Sequence, residues 1–155
     1  MQYRDFGKTG LKVSALGFGM MRLPLYDGTQ GSFDRDVTNL VDKETSIKML
    51  RHAIDNGLNY VDTAYNYLNG TSEIITGEAL KDGYREKVIL TTKLPCWSVH
   101  CYEDMMKLLD EQLAKLQTDH VDFYILHAMN KDRLKQMQEL DYKKFLAEAL
   151  SQGKI

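Results

Sequence analysis

Tyr60-Val61-Asp62-Thr63-Ala64-Tyr65-Asn66-Tyr67 is the stretch that decides the fold of this chain. A short apolar lead runs into a carboxylate, and a polar, aromatic segment follows. That order describes a buried strand surfacing into a loop. Asp62 stands at the strand's tip, and the Tyr67 phenol follows in a loop that can fold back over that end. Two later apolar runs also finish on an ionisable side chain. One is Val88-Ile89-Leu90-Thr91-Thr92-Lys93, and the other is Val121 to Leu126 followed by His127. Functional groups collected at the C-terminal ends of parallel strands mark an α/β enzyme.

Working outward, the chain alternates strand and helix. Residues 2–6 and 11–14 flank Gly7-Lys8-Thr9-Gly10, a turn signal that predicts a β-hairpin over 1–14. Ala15-Leu16-Gly17-Phe18 is expected as the first strand of a parallel sheet, with Gly19, Met20 and Met21 at its tip. Residues 22–42, with Asp27, Gly28 and Gly31, lack periodicity and read as a long loop. Asp42 is placed to cap a helix whose buried stripe is Ile47, Leu50 and Ile54, and Gly57 ends it. The second strand is 58–61. A helix follows over about 72–80, with Thr71 or Ser72 as cap, and Lys81-Asp82-Gly83 closes it. The third strand, 88–93, lacks clean alternation, as strands buried on both faces do. A helix over about 102–117 carries Met105, Leu109, Leu113 and Leu116 on one face. A fourth strand and a last helix over about 141–152 complete the series. A hairpin followed by four βα units over 15–155 specifies a parallel sheet with right-handed crossovers.

Composition narrows the class. The formal charge is −2 with acids and bases mixed, so nothing points to nucleic acid. No apolar run approaches the ~18 residues of a membrane span, and the N-terminus has no apolar signal core. The reading is a cytoplasmic protein. Cys96 and Cys101 admit a disulfide or a metal pair, but two free thiols in a reducing compartment is the favoured reading. His100 nearby invites zinc, yet the spacing matches no common ligand pattern, so no metal is expected.

The strand tips define a chemistry. Reducing a carbonyl with a hydride makes an alkoxide, which needs a proton. A phenol can supply it, but its ordinary pKa is about 10, and a neighbouring ammonium favours the phenolate. Lys93 is the candidate ammonium and Asp62 its counterion. His127 can hydrogen-bond the carbonyl oxygen. Each residue taken singly has a plainer reading: a structural histidine, a packed tyrosine, a structural ion pair. Their joint order is what favours catalysis.

Asp62-Thr63-Ala64-x-x-Tyr67 after Gly57-Leu58-Asn59, then Glu73 and Gly77-Glu78-Ala79-Leu80, resembles the first signature of the aldo-keto reductases. The opening Tyr3 to Ser14 is similar to the start of the family's bacterial branch. The resemblance implies a TIM-type barrel whose hairpin plugs the bottom. It implies a catalytic tetrad of Asp62, Tyr67, Lys93 and His127, with Tyr67 as proton donor. It implies NADP(H) as cofactor, with Gly19, Met20, Met21 and Asp62 near the nicotinamide and its ribose, and a small carbonyl compound as substrate beside Trp97. The plainer readings are a glycine turn with core methionines, and a half-buried tryptophan. No Gly-x-Gly-x-x-Gly is present, which argues against a Rossmann site. The reductase barrel takes its phosphate contacts largely from its second half.

A complete eight-fold barrel takes ~250 residues and rarely under ~200, against 155 here. Gly153 is a helix stop, and Lys154-Ile155 reads as the first step of another strand. The expectation is an incomplete barrel, with weak or no activity as it stands. It is either a piece of a longer protein or a chain that self-associates through its open edges. A non-catalytic, reductase-like binding or regulatory module is the alternative.

Overall fold

The structure is a computed structural model that describes residues 1–29 and 35–155. Gly31 of the expected loop lies outside the described residues. Strands β1 (Tyr3–Asp5) and β2 (Lys12–Ser14) form the antiparallel hairpin, with Arg4 opposite Val13. Strands β3 (Phe18–Gly19), β4 (Tyr60–Asp62), β5 (Ile89–Leu94) and β6 (Phe123–Leu126) form a parallel sheet in that order. The register pairs Gly19 with Asp62, Asp62 with Thr91, and Lys93 with Ile125.

All four strands differ from the expected bounds, the second running over Tyr60–Asp62 instead of 58–61 and the third over Ile89–Leu94 instead of 88–93, and the first and fourth differ for a visible reason. The first was expected over 15–18, but only Phe18 and Gly19 join β4. The Ala15 N–H is drawn to Gln2 O at 2.8 Å, which prolongs the hairpin, and the Leu16 carbonyl accepts from Ser14 Oγ. The fourth was expected from residue 121 and starts at Phe123. There Asp122 bonds Leu90 twice, its carboxylate accepting from Leu90 N–H at 2.8 Å and its N–H donating to Leu90 O at 2.9 Å.

Helix α1 (Lys43–Asp55) begins as expected, with the Asp42 carboxylate accepting from Thr45 N–H at 3.0 Å. Its buried stripe is Ser46, Leu50 and Ile54, and Ile47 is only partly buried. The stripe rotates because Ser46 Oγ is satisfied inside by Asp42 O. Gly57, at φ +90°, reverses the chain into β4, a conformation glycine adopts without strain. Helix α2 (Ser72–Ala79) crosses α3 (Tyr102–Leu116) at Gly77. A Cβ there would lie 2.6 Å from Leu116 O. Met105, Leu109, Leu113 and Leu116 are buried, as the spacing required. Each fully buried leucine is worth roughly 1.5–3 kcal/mol.

Helix α4 (Lys131–Glu139) was not anticipated, and α5 (Tyr142–Ser151) was. Only Met137 of α4 is buried, so the apolar periodicity that reveals helices is missing. Its cap was readable: Asn130 Oδ1 accepts from Arg133 N–H at 2.8 Å. The described parts of the expected loop before α1 are tied to the core. Leu25 bridges Val41, and Met20, Leu23, Leu25 and Val37 are buried.

The hairpin sits at the N-terminal ends of the parallel strands. The Phe6 ring lies 5.7 Å from Tyr60 and 5.0 Å from Phe123, the first residues of β4 and β6. The opposite end is left to the tetrad. No helix among the described residues is long and apolar enough to cross a membrane. Lys154 O accepts from Val121 N–H at 3.1 Å, beside the approach to β6, where a further strand was expected.

Candidate active site

Three of the four expected residues meet at one ammonium group. Lys93, on β5, turns its Nζ to Asp62 Oδ1 at 2.6 Å, to Thr63 O at 2.7 Å and to Tyr67 Oη at 3.2 Å. The parallel register makes this contact. Pairing between β4 and β5 ends at Asp62 and Thr91, so Lys93 projects past the end of β4 and reaches over its tip. The lysine side chain is 12% exposed and the aspartate 31%. A half-buried ammonium needs such a counterion, since an unpaired charge in that setting is costly.

Tyr67 is buried, and the turn behind it is strained. Leu68 and Asn69 both adopt left-handed backbone, at φ 52° and 55°. Such residues cost about 1–3 kcal/mol each and persist where the surroundings over-determine them. Two contacts hold this turn. Asn69 Oδ1 accepts from Val37 N–H at 2.9 Å, and Leu68 O accepts from Thr71 Oγ1 at 2.7 Å. The stabilised turn aims the phenol at Lys93.

His127 follows β6. Its N–H donates to Leu94 O at 3.0 Å, which ties it to the end of the lysine strand. Its ring packs edge-on to Tyr67 with centroids 5.9 Å apart. Burial holds the imidazole below its ordinary pKa, Lys93 and Arg133 push it the same way, and Asp62 opposes them. The ring is therefore neutral at pH 7, with one N–H to donate. Its Nδ1 is buried without a hydrogen-bond partner among the described residues.

The remaining expected residues fall around this centre. Gly19 lies beside Asp62 in the register, and nothing stands within 4 Å of where its Cβ would be. Met20 is fully buried in the core, while its N–H donates to Asp62 O and its carbonyl accepts from Ser72 Oγ. Met21 is half-buried. The Trp97 ring, 36% exposed, stands 5.1 Å from the His127 ring. Cys96 is buried and Cys101 exposed, both as free thiols.

Sequence reasoning missed a buried polar cluster behind Lys93. Glu73 is fully buried, and its Oε1 accepts from Thr92 Oγ1 at 2.7 Å and from Gln112 Nε2 at 2.6 Å. Gln112 Nε2 also reaches Lys93 O, and its Oε1 accepts from Tyr124 Oη. Burial pushes the Glu73 carboxyl above its ordinary pKa, against the hydrogen bonds from Thr92 and Gln112. A glutamine interrupting the apolar stripe of α3 was the available signal. A wide groove lies elsewhere, at the N-terminal ends of β5 and β6, and Arg85 and Asp122 line it. Arg85 is already engaged there with Thr118, Val88 O, His120 O and Asp122.

The parallel α/β sheet thus brings lysine, aspartate, tyrosine and histidine together at the C-terminal ends of its strands, in an architecture that corresponds to half of a TIM-type barrel. The model of the aldo/keto reductase family matches residues 15–155, and the chain belongs to that family. It is 33% identical to the aldo-keto reductase YhdN of Bacillus subtilis over 137 residues, covering 82% of this chain and 38% of that protein. It is 38% identical to the methylglyoxal reductase YeaE of Escherichia coli over 85 residues, 55% of this chain and 29% of that protein. A solved aldo-keto reductase of Pseudomonas aeruginosa superposes with a TM-score of 0.75 at 29% identity, over 99% of this chain and 56% of that one. A thermostable aldo-keto reductase solved with the inhibitor epalrestat superposes with a TM-score of 0.69 at 29% identity, over 100% and 52%. The chain thus spans about half of the solved barrels and less of the curated relatives.

Proposed function

We propose that this chain carries the proton-transfer half of an NADPH-dependent reductase that converts an aldehyde or ketone to an alcohol. The observation that carries the reading is Lys93 Nζ, shared between Asp62 at 2.6 Å and Tyr67 at 3.2 Å. The ammonium donates to the phenol oxygen, so this contact does not consume the phenol's own proton. NADPH, when bound, supplies the hydride. His127, neutral, donates its N–H to the carbonyl oxygen and orients it. Tyr67 gives its proton to the oxygen as charge develops there, and Lys93 steadies the phenol oxygen left behind. Asp62 pairs with Lys93 and holds it in place.

The residues present fit the nicotinamide and ribose end of the cofactor. Gly19 leaves open space next to Asp62, and Met21, two residues further along the chain, is half-buried. Met20 would contribute only its backbone. Trp97 forms one wall for a small carbonyl substrate. Phosphate contacts in such barrels come largely from the loops after the last strands, so this chain is expected to hold NADPH more weakly than micromolar. A fluorescence titration showing micromolar or tighter binding contradicts that expectation.

Incubation with NADPH deuterated at both C4 positions and a simple aldehyde tests the activity. The reading expects deuterium at the carbinol carbon of the alcohol, detected by mass spectrometry. An alcohol without the label overturns it.

A further inference from the structure

We infer that Arg133 is a specificity residue that selects carbonyl substrates carrying an anionic group, a carboxylate or a phosphate, near the reacting carbon. The inference rests on the reductase reading of the same site. Three observations carry it. First, Arg133 is fixed to the turn that leaves His127. Ala128, directly after the histidine, adopts left-handed backbone at φ 52°, and its carbonyl accepts from Arg133 Nη1 at 2.5 Å. The Arg133 N–H is itself bound by Asn130 Oδ1 at 2.8 Å. A strained non-glycine residue beside a candidate catalytic group is where functional geometry is commonly stored.

Second, the guanidinium lies over the wall of the site. Its Cζ is 5.8 Å from the Trp97 ring, and that ring is 5.1 Å from His127. Helix α4 is anchored to the segment that carries Trp97 through Gln136 Nε2, which donates to Val99 O at 2.7 Å. Third, the charge is uncompensated. Lys93 has Asp62, but Arg133 has no carboxylate partner among the described residues, and only its Nη1 is engaged by a protein oxygen. Half-buried arginine with N–H groups left over, beside a carbonyl-binding histidine, suits a planar oxyanion.

Trp97 is the only tryptophan of the chain, so its fluorescence reads this wall alone. The experiment titrates the chain with butanal, 4-oxobutanoate and glyceraldehyde 3-phosphate. It compares the wild type with Arg133→Gln and Arg133→Lys. The inference expects at least one anionic compound to bind about tenfold tighter than butanal. That preference falls below about twofold in Arg133→Gln and is retained in part by Arg133→Lys. Which anion gains distinguishes carboxylate from phosphate. No preference in the wild type, or an unchanged preference in Arg133→Gln, overturns it. Because binding is read without turnover, the two readings fail distinguishably: an anion preference lost in Arg133→Gln alongside failed deuterium transfer would sink the reductase reading and reduce this one to anion binding at Arg133.

Discussion

The Lys93 ammonium lies 3.2 Å from the Tyr67 phenol oxygen because β5 outruns β4 by the reach of one side chain. That offset brings a phenol up to an ion pair at a strand tip, the couple proposed above to donate the proton. It also makes Lys93 the shared member of two contacts, with Asp62 and with Tyr67.

The first consequence is thermodynamic. Asp62→Asn leaves a 12% exposed ammonium without its counterion. Removing one partner of a buried pair is strongly destabilising. Partial exposure reduces this to about 2 kcal/mol, or a melting midpoint lower by about 4–8 °C. Lys93→Met leaves a carboxylate that water can reach and should cost less. Thermal unfolding of the two variants decides it, and a larger loss for Lys93→Met contradicts the account.

His127 should make the fold sensitive to mild acid. Burial, then Lys93, holds its pKa below the ordinary 6.5. The unfolded chain therefore binds a proton near pH 6.5 while the native chain still resists it. Stability is full above that pH and declines as pH falls toward the lower native value. Urea midpoints at pH 7 and pH 5 should drop further in the wild type than in His127→Gln. Equal drops, or an imidazole that titrates by NMR above 6.5, refute this.

Glu73 has the opposite sign. Burial raises its carboxyl pKa from 4.5, so its contribution is present below that value and is lost as pH rises through the higher native value. Glu73→Gln keeps an acceptor for Thr92 and Gln112 without the buried charge. Its stability relative to wild type should therefore improve from pH 4.5 to pH 7. A relative stability that is flat or declining across that range would show that Glu73 is not the buried acid described.

Strands β3 and β6 are the outer strands of the parallel sheet. Leu16 is 62% exposed before the first of them and Ile125 is 43% exposed on the second. Open edges with apolar flanks invite pairing. Light scattering during gel filtration should give a mass above 17.8 kDa. A monodisperse, fully folded monomer at that mass opposes it.

The β5 strand was legible as a continuous apolar run, the long α3 by its helical periodicity, and the positions of Asp62, Lys93 and His127 at strand ends by the order of the motif. Other features depend on partners that sequence does not reveal. The first barrel strand shortens because Ala15 prefers the hairpin, and α4 hides because only Met137 is buried. The role of Gln112 appears only when Glu73, Thr92 and Tyr124 arrive from other elements. Arg133 gains meaning only from the turn at Ala128.

The most direct test of the account is Tyr67→Phe, which keeps the ring against His127 and removes only the hydroxyl. Steady-state NADPH oxidation with a simple aldehyde, at high concentrations of both, should be slow but measurable in the wild type. In the variant it should fall by about a hundredfold or more, the range for loss of a positioned acid, while the melting midpoint stays within about 2 °C. Equal rates in the two proteins would contradict the assignment of Tyr67 and Lys93 as the proton-donating couple.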